Sequence, residues 1–273
     1  MALIQVNFMS KALLRTVTVN VILPVDKFSM ADQAEREDKP YKTLYLLHGI
    51  FGNYTDWVTG TDIVRLAQAR DLAVVMPSGE NGFYLDQPDQ GRNYAAFIGE
   101  ELVNITRKMF PLSRKREDTF IGGLSMGGYG AIRNGLKYHD TFGCVLGFSS
   151  ALHILEDAEA GRNRNIAYEE SCFGKLTEAV KTDKNPRVLI EQLADEPAEK
   201  RPHIFMSCGT EDMLIDVNRT FADLFRRKGF DITYCEAAGG HDWDFWAQTI
   251  KTALDWLPLE SGSQGVNSGN VNG

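Results

Sequence analysis

Cationic residues are in deficit in this chain. Twenty-nine Lys and Arg face 37 Asp and Glu, a net charge of −8. That balance speaks against nucleic acid or an anionic membrane as partner, since both reward clustered positive charge. Cysteine is scarce too. Cys144, Cys172, Cys208 and Cys235 show no CxxC spacing and no neighbouring histidine, which argues against a zinc site. Three of the four sit in apolar, strand-like runs, where a thiol serves as a small buried hydrophobe, and a reduced, cytoplasmic setting is expected. Long apolar runs are missing. The opening "MALIQVNFMSKALLRTVTVNVILPV" alternates apolar and polar residues and carries charge, unlike a signal peptide. No stretch approaches the ~20 apolar residues of a membrane span. Nothing in the sequence calls for a metal or an organic cofactor, and the oligomeric state is not legible.

What is present is an alternation of short, unbroken apolar runs with helix-like segments. "TLYLLH", "LAVVMP", "TFIGG", "CVLGFS", "HIFMSC" and the weaker "DITYCEA" read as strands of a parallel sheet covered on both faces. The two leading alternating segments, 3–8 and 14–23, read as antiparallel additions at one edge. Helices are expected over 61–70, 93–110, 126–138, 215–228 and 243–256, which together make an α/β fold. One domain spans 1–260. Residues 150–201 break the rhythm and read as a small helical, lid-like insertion. The charged connection "DKFSMADQAEREDKP" reads as an exposed loop, and the Ser/Gly/Asn-rich tail 261–273 as disordered.

Within "FIGGLSMGGYGA", residues 123–127 match G-x-S-x-G, with a strand before and a helix after. In that context Gly123 and Gly127 leave room for a tight strand-to-helix turn, and Ser125 is exposed at the top of the sheet as a nucleophile. No GK[ST] follows the glycines, so a phosphate loop fits worse. A serine needs a base and a group that orients the base. With chain order Ser, acid, His, only His241 in "AAGGHDWDFW" lies downstream of both, and Asp212 in "CGTED" is the preferred acid, with Glu211 as the alternative and Asp216 nearby. Oxyanion donors are expected from the Met126 amide and from the loop after "TLYLLH". There Ile50 is preferred, with Gly49 and Phe51 as alternatives. His48 reads as a strand-end histidine that holds this loop. Phe51, Trp57 and Tyr84 are candidate substrate contacts, with core packing as the competing reading.

The motifs "LLHGIFGNYTDW", "NGFYLD", "EELV", "GLSMGGYGA", "CGTED" and "GGHDWDFW" resemble the esterase family that includes S-formylglutathione hydrolases, tributyrin esterases and feruloyl esterases. Mycolyltransferases are more distant relatives. The likeness runs from about Lys11 to Pro258 and is strongest to the bacterial tributyrin and feruloyl branch. It implies an α/β-hydrolase sheet, a triad of Ser125, Asp212 and His241, and oxyanion donors Ile50 and Met126. It also implies a serine carboxylesterase acting on a small-molecule ester, with a short-chain acyl or hydroxycinnamoyl group. Leu124 and Tyr129 stand where S-formylglutathione hydrolases carry histidine, a departure from the thioesterase pattern. A thioesterase with the same triad, and a non-catalytic carbohydrate- or lipid-binding protein on this fold, are the other two readings.

Overall fold

The computed structural model describes residues 1–27, 39–162, 165–260 and 265–266. The eight strands of its main sheet are β1 (Ala2–Ser10), β2 (Arg15–Leu23), β3 (Lys42–Leu47), β4 (Leu72–Pro77), β5 (Thr119–Leu124), β6 (Cys144–Phe148), β7 (His203–Gly209) and β8 (Ile232–Ala237). Their spatial order is β1-β2-β4-β3-β5-β6-β7-β8. All neighbours from β4 to β8 pair in parallel, while β2 joins β4, and β1 joins β2, antiparallel.

Alternation within the buried strands divides the core in two. Tyr45, Leu47, Val75, Ile121 and Val145 face one side, and Leu44, Leu46, Val74, Phe120 and Leu146 the other. This double burial is why the central strands read as unbroken apolar runs. The second face is covered by α1 (Asp56–Gly60), α2 (Ile63–Ala69) and the last helix, Trp243–Trp256. The first is covered by α3 (Leu102–Met109), α4 (Met126–Lys137) and the helices between α4 and the last one. The helical segment before α3 includes a π turn at Phe97–Glu101, so the expected single helix over 93–110 is locally widened and underwound.

Residues 150–201 contain α5 (His153–Ala160), α6 (Ile166–Phe173), α7 (Leu176–Ala179) and α8 (Pro186–Ala194). Asn185 caps α8 by accepting the Arg187 amide at 3.1 Å, with Pro186 at the first helical position. Ile154, Leu155, Phe173, Leu176 and Ile190 are buried in the same core as the sheet's first face. The insertion is therefore packed into the main body. The remaining helices are α9 (Ile215–Arg227) and α10 (Trp243–Trp256). Of the expected loop 26–40, residues 28–38 lie outside the described residues, as does all of the expected tail but residues 265 and 266. Among the described residues, no helix is long and apolar enough to cross a membrane.

Candidate active site

Ser125 sits between β5 and α4 with φ +53° and ψ −116°. A side chain rarely adopts such a backbone, and holding one there costs about 1–3 kcal/mol. The strain is enforced on both sides. The Ser125 amide donates to Phe148 O at 2.9 Å, and the Ala151 amide donates to Ser125 O at 2.9 Å, which pins the turn to the end of β6. The flanking glycines are required by close approach. A methyl group at Gly123 would lie 2.4 Å from the Gly127 carbonyl oxygen, and one at Gly127 would lie 2.5 Å from that of His48.

His241 arrives from the loop between β8 and α10. That loop is tied to the one after β7: the Thr210 amide donates to Ala237 O at 2.9 Å and the Glu211 amide to Gly239 O at 3.1 Å. The strands β7 and β8 are parallel neighbours, so both loops emerge at the same edge as Ser125. His241 Nδ1 lies 2.9 and 3.1 Å from the two carboxylate oxygens of Asp212. An ionised carboxylate only accepts, so Nδ1 carries the proton and Nε2 is left as the acceptor. Nε2 lies 2.9 Å from Ser125 Oγ, which donates to it.

The Asp212 side chain is wholly buried. Burial alone pushes its carboxyl upward, but hydrogen bonds from His241, the Leu214 amide and the Ser149 hydroxyl outweigh it and hold the group below its ordinary value. Ser149 is buried, and its hydroxyl also accepts the Trp246 indole N–H at 3.1 Å. Trp246 stands edge-on to the His241 ring, centroids 5.0 Å apart. Glu211, the alternative acid, turns away: its carboxylate takes the Gly239 amide and the Thr210 hydroxyl. Asp216 is exposed and lies 3.5 Å from Arg219. Neither contacts the imidazole.

Residues 49–52 form a β-turn closed by the Gly52 amide donating to Gly49 O at 3.3 Å, with Phe51 at φ +68°. A positive φ at the third position is the mark of a type II turn. His48 secures it from below. Its buried ring accepts the Gly79 amide at Nε2 (2.8 Å), so Nδ1 is the donor to Gly49 O (2.6 Å). Burial holds this imidazole below its usual pKa, keeping it neutral. His48 thus ties two loops together, as its place at a strand end suggested. The Phe51 amide is committed to Asn81 Oδ1 at 2.8 Å, which removes it as an alternative oxyanion donor. Met126 opens α4, where the first amides have no partner within the helix.

The three aromatic candidates separate. Phe51 is 86% exposed beside the turn. Trp57 and Tyr84 are buried and do not reach the site, a correction to the expectation that they contact substrate. The Trp57 indole donates to Leu47 O at 2.9 Å and its ring packs on Phe148 and Trp243. The Tyr84 hydroxyl donates to His48 O at 3.0 Å. Both lie beneath the loops, supporting them. Asn81, Ser149, Trp246 and Tyr168 were not singled out from sequence. Of these only Asn81, in the turn-prone pair Asn81-Gly82, carried a local signal.

The Esterase family model matches residues 10–257. The chain is 44% identical over 262 residues to an acetyl esterase of Caldicellulosiruptor saccharolyticus, covering 94% of this chain and 98% of that protein. Fluorophosphonate-binding serine hydrolase F of Staphylococcus aureus superposes with a TM-score of 0.81 at 31% identity, covering 94% of this chain and 98% of that one. An S-formylglutathione hydrolase from the same organism gives 0.79 at 31%, with the same coverage. The parallel sheet, the strained serine turn and these relatives agree: the chain belongs to the esterase family and is a carboxylic ester hydrolase with the α/β-hydrolase fold.

Proposed function

We propose that the protein hydrolyses short-chain acyl esters, acetyl esters foremost, through an acyl-enzyme on Ser125. The observation that carries this reading is the hydrogen-bonded line from Asp212 through His241 to Ser125. In the proposed mechanism His241 Nε2 takes the Ser125 proton as Oγ attacks the ester carbonyl. Asp212 keeps the proton on Nδ1 and steadies the imidazolium that forms. The Ile50 and Met126 amides receive the developing oxyanion. His241 then gives its proton to the departing alkoxide, and a water activated by the same imidazole releases the acid. The name of the 44% identical relative favours acetyl over the larger hydroxycinnamoyl group. Phe51, exposed next to Ile50, is the candidate contact for the substrate. The reading of the insertion as a border of the acyl group is supported by its packing on α4, where Phe173 meets Tyr129 and the Tyr129 hydroxyl donates to Lys184 O.

A thioesterase is the second reading, favoured by the 31% identical S-formylglutathione hydrolase. One panel separates the two. Acetyl, butyryl and octanoyl p-nitrophenyl esters, methyl ferulate and S-formylglutathione are compared on the native enzyme and on Ser125→Ala. We expect the highest kcat/KM for the acetyl ester and loss of at least about a thousandfold in the variant. Turnover surviving in Ser125→Ala would refute the mechanism, and a preference for the thioester would replace the substrate.

A further inference from the structure

The two edges of the main sheet are guarded differently. At one edge stands β8, six residues long, with a charge in place: the Glu236 carboxylate takes two hydrogen bonds from the Arg219 guanidinium of α9, both at 2.8 Å. At the other stands β1, nine residues long, and its residues include no charged side chain and no proline. No bulge twists it away, since its register with β2 runs one to one from Ala2↔Leu23 to Ser10↔Arg15. Charge, proline and bulges are the means that keep an edge strand from pairing with another chain. β1 has none of them, and it presents Leu3 and Met9 at 47% and 64% exposure.

The side-chain pattern of β1 says what fits there. Residues 3, 5, 7 and 9 share the exposed face. Ile4, Val6 and Phe8 face the core, and Ile4 and Val6 are only partly buried. A second β1 laid antiparallel, about a twofold axis perpendicular to the sheet at Val6, pairs the whole strand, with Ala2 opposite Ser10. On the exposed face Leu3 meets Met9 and Gln5 meets Asn7. On the core face Ile4 meets Phe8 and Val6 meets its own copy. The amides are complementary as well. Gln5 commits its Nε2 to the Tyr54 hydroxyl at 2.8 Å, which leaves its carbonyl to accept. Asn7 accepts the Thr18 hydroxyl on Oδ1 at 2.6 Å, which leaves its amide N–H groups to donate. A shift of the register by one pleat sets apolar against amide, Leu3 on Asn7 in one direction and Met9 on Gln5 in the other.

We propose that β1 is a dimerisation edge: two copies of the chain pair antiparallel through residues 2–10, in the register that sets Leu3 opposite Met9, and join their sheets into one. Pairing removes the apolar surface of Leu3, Met9, Ile4 and Val6 from water and satisfies the outward main-chain groups of the strand. The contact is isologous and occupies both copies of β1, so assembly stops at two. The twofold axis reverses strand direction, so the Ser125 edges of the two sheets point in opposite directions. Dimerisation therefore leaves turnover per chain unchanged, and the proposal is independent of the reaction at Ser125.

The test is analytical ultracentrifugation of the native chain from about 1 to about 200 µM, with hydrogen exchange of the β1 amides measured at both ends of that range. We expect a monomer–dimer equilibrium with no larger species, and β1 protection that grows with concentration. Leu3→Glu combined with Met9→Glu sets like charges opposite each other at both ends of the pairing and should weaken the dimer at least about tenfold. Leu3→Glu combined with Met9→Lys sets opposite charges there instead. It should associate at least about tenfold more tightly than the first pair, and added salt should narrow that gap. The kcat of both variants on p-nitrophenyl acetate should match the native value, which checks that they fold. If either variant fails that check, exchange on the native chain decides alone. A native chain that stays monomeric, species larger than a dimer, β1 protection indifferent to dilution, or two folded variants that associate equally would each overturn the proposal.

Discussion

Replacing Ser125 by glycine should make the protein more stable than replacing it by alanine, although both variants lose activity. The two changes delete the same hydroxyl and the same 2.9 Å bond to His241, so their difference isolates the backbone. Alanine keeps a Cβ at φ +53° and ψ −116°, while glycine removes it. Relief of such strain is worth about 1–3 kcal/mol. Against it stands the greater freedom of glycine in the unfolded chain, about 0.4–1 kcal/mol. The net advantage for glycine is about 1 kcal/mol, and at most about 2.5 kcal/mol. For a chain of 273 residues this raises Tm by about 2 °C, up to about 5 °C. Urea unfolding and calorimetry on both variants at neutral pH measure it. A glycine variant no more stable than the alanine variant would mean that the turn carries no strain to release.

Four further outcomes follow from packing and charge. Asp212→Asn should lower kcat by about 10⁴, while Glu211→Gln should cost less than about tenfold. The Asp212 carboxyl is held below its unfolded value of 3.8, so its contribution to stability is complete above about pH 4 and fades as pH falls through the folded value. The Tm gap between native protein and Asp212→Asn should therefore narrow on acidification, and a gap constant down to about pH 2 would count against the linkage. Gly127→Ala, which sets a methyl group 2.5 Å from the His48 carbonyl oxygen, should destabilise by about 1–3 kcal/mol and impair turnover, as read by urea midpoints and kcat. Ile190→Ala in α8 should cost about 2–5 kcal/mol within a single unfolding transition, because the insertion shares the main core; a separate early transition would contradict that.

The parallel sheet was legible because its central strands are buried on both faces and so announce themselves as unbroken apolar runs. The meeting of Ser125 and His241 was legible for another reason: glycine spacing marked the serine turn, and chain order left a single histidine. Asp212 and Glu211 are adjacent, and nothing local separates them. The distinction lies in direction, one side chain turning into the core to the imidazole and the other out to the Gly239 amide. Trp57 and Tyr84 were misread because aromatics beneath a pocket and aromatics lining it look alike in sequence. The partners of Asn81 and Ser149 were not legible because they are distant in sequence, Phe51 and Trp246 respectively; the Asn81-Gly82 pair signals a turn but gives no sign of who will satisfy the side chain. The π turn at Phe97–Glu101 likewise adds a residue to a helix whose apolar spacing reads as continuous.

The three groups of the hydrogen-bonded line come from the ends of β5, β7 and β8, and His241 follows Ser125 by 116 positions. During synthesis the serine turn and most of the sheet leave the ribosome before the base exists. The nascent chain thus carries a strained serine with no means of activating it, and the burial of α10 against the second face is what brings His241 into place. In the proposed mechanism, activity therefore waits for the segment that follows β8. A product truncated before His241 would lack the proposed base, and one truncated before Phe148 would also lack the end of β6 that pins the serine turn.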